Sequence, residues 1–131
     1  FKAYNDTYGH LGGDQCLCQV ANIIKSCVRR PADVVARYGG EEFALVLPNT
    51  ALEGVMHIGK SIQADLKKLA IPHIGSAVRP IVTVSIGVVS IIPTLTSSPQ
   101  TLIGWADQAL YNAKNNGRDC VIAFSTSTVM R

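Results

Sequence analysis

The sequence has no Cys-x-x-Cys pair, no basic run longer than two residues and no apolar stretch of membrane-spanning length. Each absence closes a class of function. Cysteines occur at 16, 18, 27 and 120, a spacing that excludes the usual zinc frameworks. Cys16 and Cys18 lie two apart on a predicted helix and so diverge in direction, which makes free thiols in a reducing cytosol the expected state. The longest basic runs are Arg29-Arg30 and Lys67-Lys68, and the net charge is +3. That excess suits an anionic small molecule and falls short of the basic stripe of a nucleic-acid binder. Internal repeats and low-complexity segments are lacking, as is a signal peptide. The chain opens at Phe1 without an initiator methionine, which reads as a fragment of a longer protein. Against these absences stands a hydrophobic content of 47% in 131 residues with 16% charged, enough for one folded domain with a core.

Periodicity sets the elements. Phe1 to Tyr8 reads as a short helix and Gly9 to Gly13 as a loop, with Asp14 positioned to cap the next helix. Leu17, Val20, Ala21, Ile24 and Val28 recur along that helix at helical spacing, and Pro31 helps end it. Two short runs, from Val34 and from Phe43, predict a hairpin over 34–47. Val55, Ile58, Ile62, Leu66 and Leu69 recur at steps of 3, 4, 4 and 3 and mark a second long helix. Ile81 to Ile92 is rich in β-branched residues and predicts a buried strand containing Gly87. A third helix is expected from about Thr101 to Asn116, with Gly117 ending it, followed by a strand over 120–124. The order helix, hairpin, helix, strand, helix, strand predicts an α+β sandwich with helices packed on a mixed sheet.

The hairpin turn reads Arg37-Tyr38-Gly39-Gly40-Glu41-Glu42-Phe43. Two glycines leave the backbone bare enough for a ligand to approach, and two acids follow them. Paired carboxylates at such a turn point to a divalent cation and an anionic substrate.

This heptad resembles the signature of the GGDEF family, the diguanylate cyclases that make cyclic di-GMP from GTP. Four further segments resemble the same family. Phe1-Lys2-Ala3-Tyr4-Asn5-Asp6-Thr7-Tyr8-Gly9-His10 through Gly13-Asp14 is similar to its FKxxNDxxGHxxGD segment. Arg30-Pro31-Ala32-Asp33 resembles its RxxD inhibitory motif, five residues before Gly39. Thr83 to Gly87 resembles its TxSIG strand, and Ala106 to Arg118 its ADxALYxAKxxGR helix. Five segments in order at the right spacing cover nearly the whole chain. The resemblance implies the palm-like nucleotidyl-cyclase architecture over residues 1–125, with a polar tail over 126–131.

The resemblance also implies roles. Glu41 matches the family's metal ligand and proposed base, where a carboxylate near Mg2+ or Mn2+ neutralises phosphate charge and helps deprotonate a 3′-hydroxyl. Glu42 matches a second acid needed near the metal. Asn5 and Asp14 match the guanine readers, a carboxylate accepting from the N1–H and N2–H2 edge that adenine cannot supply. His10, in the same expected loop, lines the base pocket. Lys2 matches the lysine credited with stabilising the phosphoryl-transfer transition state. Lys114 and Arg118, four apart and expected on one helical face, match the phosphate contacts. Gly39 and Gly40 let the backbone approach the nucleotide. Arg30 and Asp33 match the inhibitory product site.

By the same resemblance the partners are GTP, cyclic di-GMP and a second copy of the chain, since one domain holds one GTP and catalysis joins two. A bacterial, cytoplasmic domain with a sensory domain upstream is implied, and a membrane anchor in the parent is compatible with it. The family's first metal-binding aspartate lies on a strand before the Phe-Lys pair, which precedes Phe1. Its secondary inhibitory arginine falls near Ser61, beside Lys60, and Asp119 replaces the usual asparagine after Gly-Arg. Two readings are open: an active diguanylate cyclase of the nucleotidyltransferase class, or a catalytically inactive GGDEF domain serving as a cyclic di-GMP or GTP receptor. Retention of Glu41, Glu42, Asn5, Asp14, Lys114 and Arg118 favours the enzyme.

Overall fold

Leu17, Val20 and Ile24 are buried along one side of a long helix, α1 (Lys2–Cys27), as their three- and four-residue steps require. The computed structural model describes residues 1–76 and 80–124, the side chain of Lys2 excepted. The expected tail from 125 onward lies outside the described residues. After α1 come β1 (Val34–Gly39), β2 (Glu42–Val46), α2 (Leu52–Leu69), β3 (Ile86–Val88), α3 (Pro99–Asn115) and β4 (Val121–Ala123). The expectations for the hairpin, α2 and α3 hold to within a few residues. No helix among the described residues is long and apolar enough to cross a membrane.

The chain divides into two units. The first comprises Phe1–Asn49 and Ser61–Thr83. Its core is Tyr4, Cys16, Leu17, Val20 and Ile24 of α1, Ile62 and Leu66 of α2, and Ile71 with His73 beyond it. β1 and β2 pair antiparallel, Val34 opposite Val46 and Arg37 opposite Phe43, with an irregularity between Arg37 and Gly39. The end of α1 is tied to α2 where Cys27 Sγ donates to Asp65 Oδ2 at 3.4 Å. Burial, and next the neighbouring carboxylate, push the Cys27 thiol up, so it stays protonated. All four cysteines are free, Cys16 buried and Cys18 exposed, as their spacing requires.

The second unit comprises Thr50–Lys60 and Val84–Arg131. There β3 and β4 pair parallel, Gly87 opposite Ile122, and α3 packs on both. Ala109 and Ala113 are fully buried on α3, and Trp105 stacks on Phe124 at 5.2 Å. Ser98 caps α3, accepting from the Thr101 N–H at 3.1 Å. At the other end Gly117, at φ 92, reverses the chain, and Arg118 N–H bonds back to Ala113 O at 3.1 Å.

The strand expected over 81–92 shrinks to three residues. Its first part takes its hydrogen bonds elsewhere: Ile81 bridges to Pro72, and Val82 N–H donates to Ile71 O at 2.8 Å. The run then crosses from the first unit to the second at Thr83–Val84. Among the described residues the strands form two pairs, one antiparallel and one parallel. Gly87 explains the glycine in the β-branched run. A Cβ there would lie 2.8 Å from Leu110 Cα and closer still to Leu110 N, so the α3 backbone rests directly on β3. Gly87→Ala is expected to destabilise the protein by about 1–3 kcal/mol, because the obstacle is backbone. Denaturant unfolding checks this, and an unchanged midpoint contradicts it.

Candidate functional site

The hairpin turn consists of Gly40 and Glu41, with Gly39 ending β1 and Glu42 opening β2. Gly40 sits at φ 53, a conformation that glycine adopts without steric cost. Glu41 is exposed at the tip, whereas Glu42 is half-buried and paired in register with Gly39. Arg37 Nε donates to Gly40 O at 2.6 Å and fixes the turn. Sequence reasoning gave Arg37 no role. The signal was its place in the strand before the two glycines, within side-chain reach of the turn.

α1 carries the next group, and the structure corrects two expectations. Gly9, at φ 81 and ψ 169, interrupts the helix, but His10 to Gly13 are helical and not a loop. His10 is exposed just beyond the break. Asp14 is therefore interior to a helix and caps nothing. It is exposed and borders a cleft of about 480 Å3 shared by Leu17 and Lys25 of α1 with Val35, Arg37 and Phe43 of the hairpin. Asn5 lies on the segment before the break. Its side chain rests against Gly13, at the place where a Cβ on that residue would be. Its Oδ1 is buried and accepts no hydrogen bond. A buried acceptor without a donor costs free energy. The backbone of Lys2 begins α1, and its side chain lies outside the described residues.

In the second unit Lys114 lies exposed in the last turn of α3. Arg118 does not share a helical face with it. α3 ends at Asn115, and Arg118 follows the reversal at Gly117 with a φ of 63. The i, i+4 expectation fails because the chain leaves the helix between the two residues.

Arg30 and Asp33 do come together. Arg30 Nη2 lies 3.0 Å from Asp33 Oδ1 and Nε lies 3.2 Å from Oδ2, a two-pronged contact. The same guanidinium donates to Pro48 O at 2.6 Å and to Asn49 O at 3.4 Å, which ties the entry of the hairpin to its exit. The Asp33 side chain is 2% exposed beneath it.

Residues 1–120 match the family described as diguanylate cyclase, GGDEF domain. The chain belongs to the GGDEF family. It is 46% identical over 121 residues to diguanylate cyclase A of Treponema denticola, covering 92% of this chain and 32% of that protein. The chain thus spans about a third of that relative's length. The GGDEF domain of DgcB from Caulobacter crescentus, solved in complex with c-di-GMP, superposes with a TM-score of 0.81 at 33% identity, covering 93% of this chain and 70% of that one. The active GGEEF domain of a diguanylate cyclase from Vibrio cholerae superposes with a TM-score of 0.79 at 29% identity, covering 95% and 76%. That domain's name contains the same five residues as Gly39 to Phe43 here. These likenesses establish the α+β palm-like fold of GGDEF domains for this chain.

Proposed function

We propose that the protein containing this GGDEF domain condenses two molecules of GTP into cyclic di-GMP. The observation that carries the reading is the intact hairpin tip, with Glu41 exposed in a two-residue turn whose carbonyl Arg37 holds. A receptor that had lost catalysis would have no need of both Glu41 and Glu42, and both stand here.

In this reading two GTP-loaded chains meet. The 3′-oxygen of each GTP attacks the α-phosphorus of the other, the bond from that phosphorus to the β-bridging oxygen breaks, and pyrophosphate leaves. Glu41 takes the proton of the attacking hydroxyl. Asn5 and Asp14 select guanine, Asn5 from the segment before the break at Gly9 and Asp14 from the edge of the cleft beside the hairpin. His10 borders the base. Gly39 and Gly40 admit the nucleotide, Lys114 and Arg118 hold its phosphates, and Lys2 stabilises the phosphoryl-transfer transition state. Among the described residues no three side chains of His, Cys, Asp or Glu cluster as a metal site. Glu41, exposed at the turn, nevertheless suits Mg2+ or Mn2+, since magnesium is held by one or two carboxylates with substrate phosphates and water. When bound there, the cation supplies charge neutralisation at the phosphates. The test is product stoichiometry. The intact protein is expected to release one pyrophosphate per GTP consumed, and release of inorganic phosphate with GDP contradicts the reading.

Arg30 and Asp33 form the inhibitory site for cyclic di-GMP in this proposal. A guanidinium takes a phosphate or the Hoogsteen edge of guanine, and a carboxylate takes its N1–H and N2–H2. Because Arg30 already holds the Asp33 carboxylate and two backbone carbonyls, the product must exchange with those contacts. Arg30→Ala is expected to abolish binding of cyclic di-GMP at this site in calorimetric titration. Equal binding by wild type and variant contradicts the assignment.

A further inference from the structure

Gly9 breaks α1, and the segment Lys2–Tyr8 before the break packs back on the helix after it, Asn5 against Gly13 and Tyr8 beside Gly12. A loop from the far end of the first unit holds it on another side. The His73 ring meets the Tyr4 ring edge-on at 5.1 Å. Ile74 N–H donates to the Tyr8 hydroxyl at 3.2 Å. Gly75 lies so close to the segment that a Cβ on it would stand 2.5 Å from Thr7 Oγ1. Three consecutive loop residues thus touch the segment at positions 4, 7 and 8. The loop is itself anchored: His73 N–H bonds to Pro80 O at 2.8 Å, and Ser76 N–H bonds back to His73 O at 3.2 Å. His73 is buried, its Nδ1 has no partner, and burial lowers its pKa, so the ring packs as a neutral aromatic. Between the strapped positions, on the same short helix, stands Asn5 with its unpartnered Oδ1.

We infer that the loop 73–75 is a strap that sets the purine-reading side chain Asn5, with His73 as a positioning residue for base selection. The inference rests on the reading of Asn5 as a guanine contact. Such a strap acts through geometry alone. Displacing a contact group by about 1 Å is enough to cost up to about a hundredfold, whereas groups that grip only the triphosphate are untouched by it.

The experiment titrates the intact protein with 3′-deoxy-GTP and 3′-deoxy-ATP, which lack the attacking hydroxyl and cannot turn over. His73→Ala and Gly75→Val are expected to weaken 3′-deoxy-GTP about tenfold while leaving 3′-deoxy-ATP unchanged, so selectivity falls with affinity. His73→Phe keeps a ring against Tyr4 and is expected to restore the guanine preference. Wild-type affinity and selectivity in both weakened variants overturn the inference, as does an equal loss for both nucleotides. Wild-type protein without guanine preference overturns the reading of Asn5 itself. Thermal unfolding identifies a variant that fails to fold. In that event Tyr8→Phe carries the test, since it removes only the hydroxyl that accepts from Ile74. A roughly threefold weaker 3′-deoxy-GTP is expected there, and no change overturns the strap.

Discussion

Glu41→Gln is expected to lower kcat for cyclic di-GMP formation by at least about a hundredfold, the usual scale for loss of a positioned base, with no change in thermal unfolding. The amide keeps the size of the side chain and removes its charge and basicity. The fold should be indifferent, because Glu41 is exposed in a two-residue turn whose geometry comes from Gly40 and from the Arg37 bond to Gly40 O. A wild-type kcat in a folded Glu41→Gln protein would place the base elsewhere, and Glu42 would be the next carboxylate to test.

The second large effect falls on Asp14. Asp14→Ala is expected to reduce the preference for GTP over ATP by about 10- to 100-fold, since each buried polar group left unpaired costs about 1–3 kcal/mol. Stability should not fall with it. Asp14 is exposed in a helix interior, where alanine is the better helix former. The comparison requires kcat/KM for both nucleotides, and an Asp14→Ala protein with undiminished guanine preference contradicts the assignment.

Much of this was legible in the residues. The steps of three and four at Val20, Ile24, Ile62 and Leu66 locate the first unit's core, and all four are buried. The glycine pair before two acids locates the hairpin tip. Glycine misled the reading where its purpose was contact rather than flexibility. Gly12 and Gly13 suggest a loop, yet both are helical: Gly13 makes room for Asn5, and a Cβ on Gly12 would lie 3.1 Å from the Tyr8 Cβ. Asp14 looked like a cap for the same reason. Arg118 looked like a partner of Lys114 along the helix because a periodic pattern does not show where Gly117 turns the chain. The long strand was overread because a β-branched run reveals propensity and not which backbone groups its residues will find. Ile81 and Val82 find residues 71 and 72, which no local pattern encodes. The strap from His73 to Gly75 was invisible for the same cause, being a contact across more than sixty positions.

The central claim is the conversion of GTP into a cyclic dinucleotide. Incubating the intact protein with GTP and Mg2+, then separating the nucleotides by chromatography, tests it most directly. The account predicts cyclic di-GMP as the product from GTP and none of the corresponding product from ATP. GTP recovered unchanged by a folded protein with Glu41 in place, or equal turnover of ATP, would contradict it.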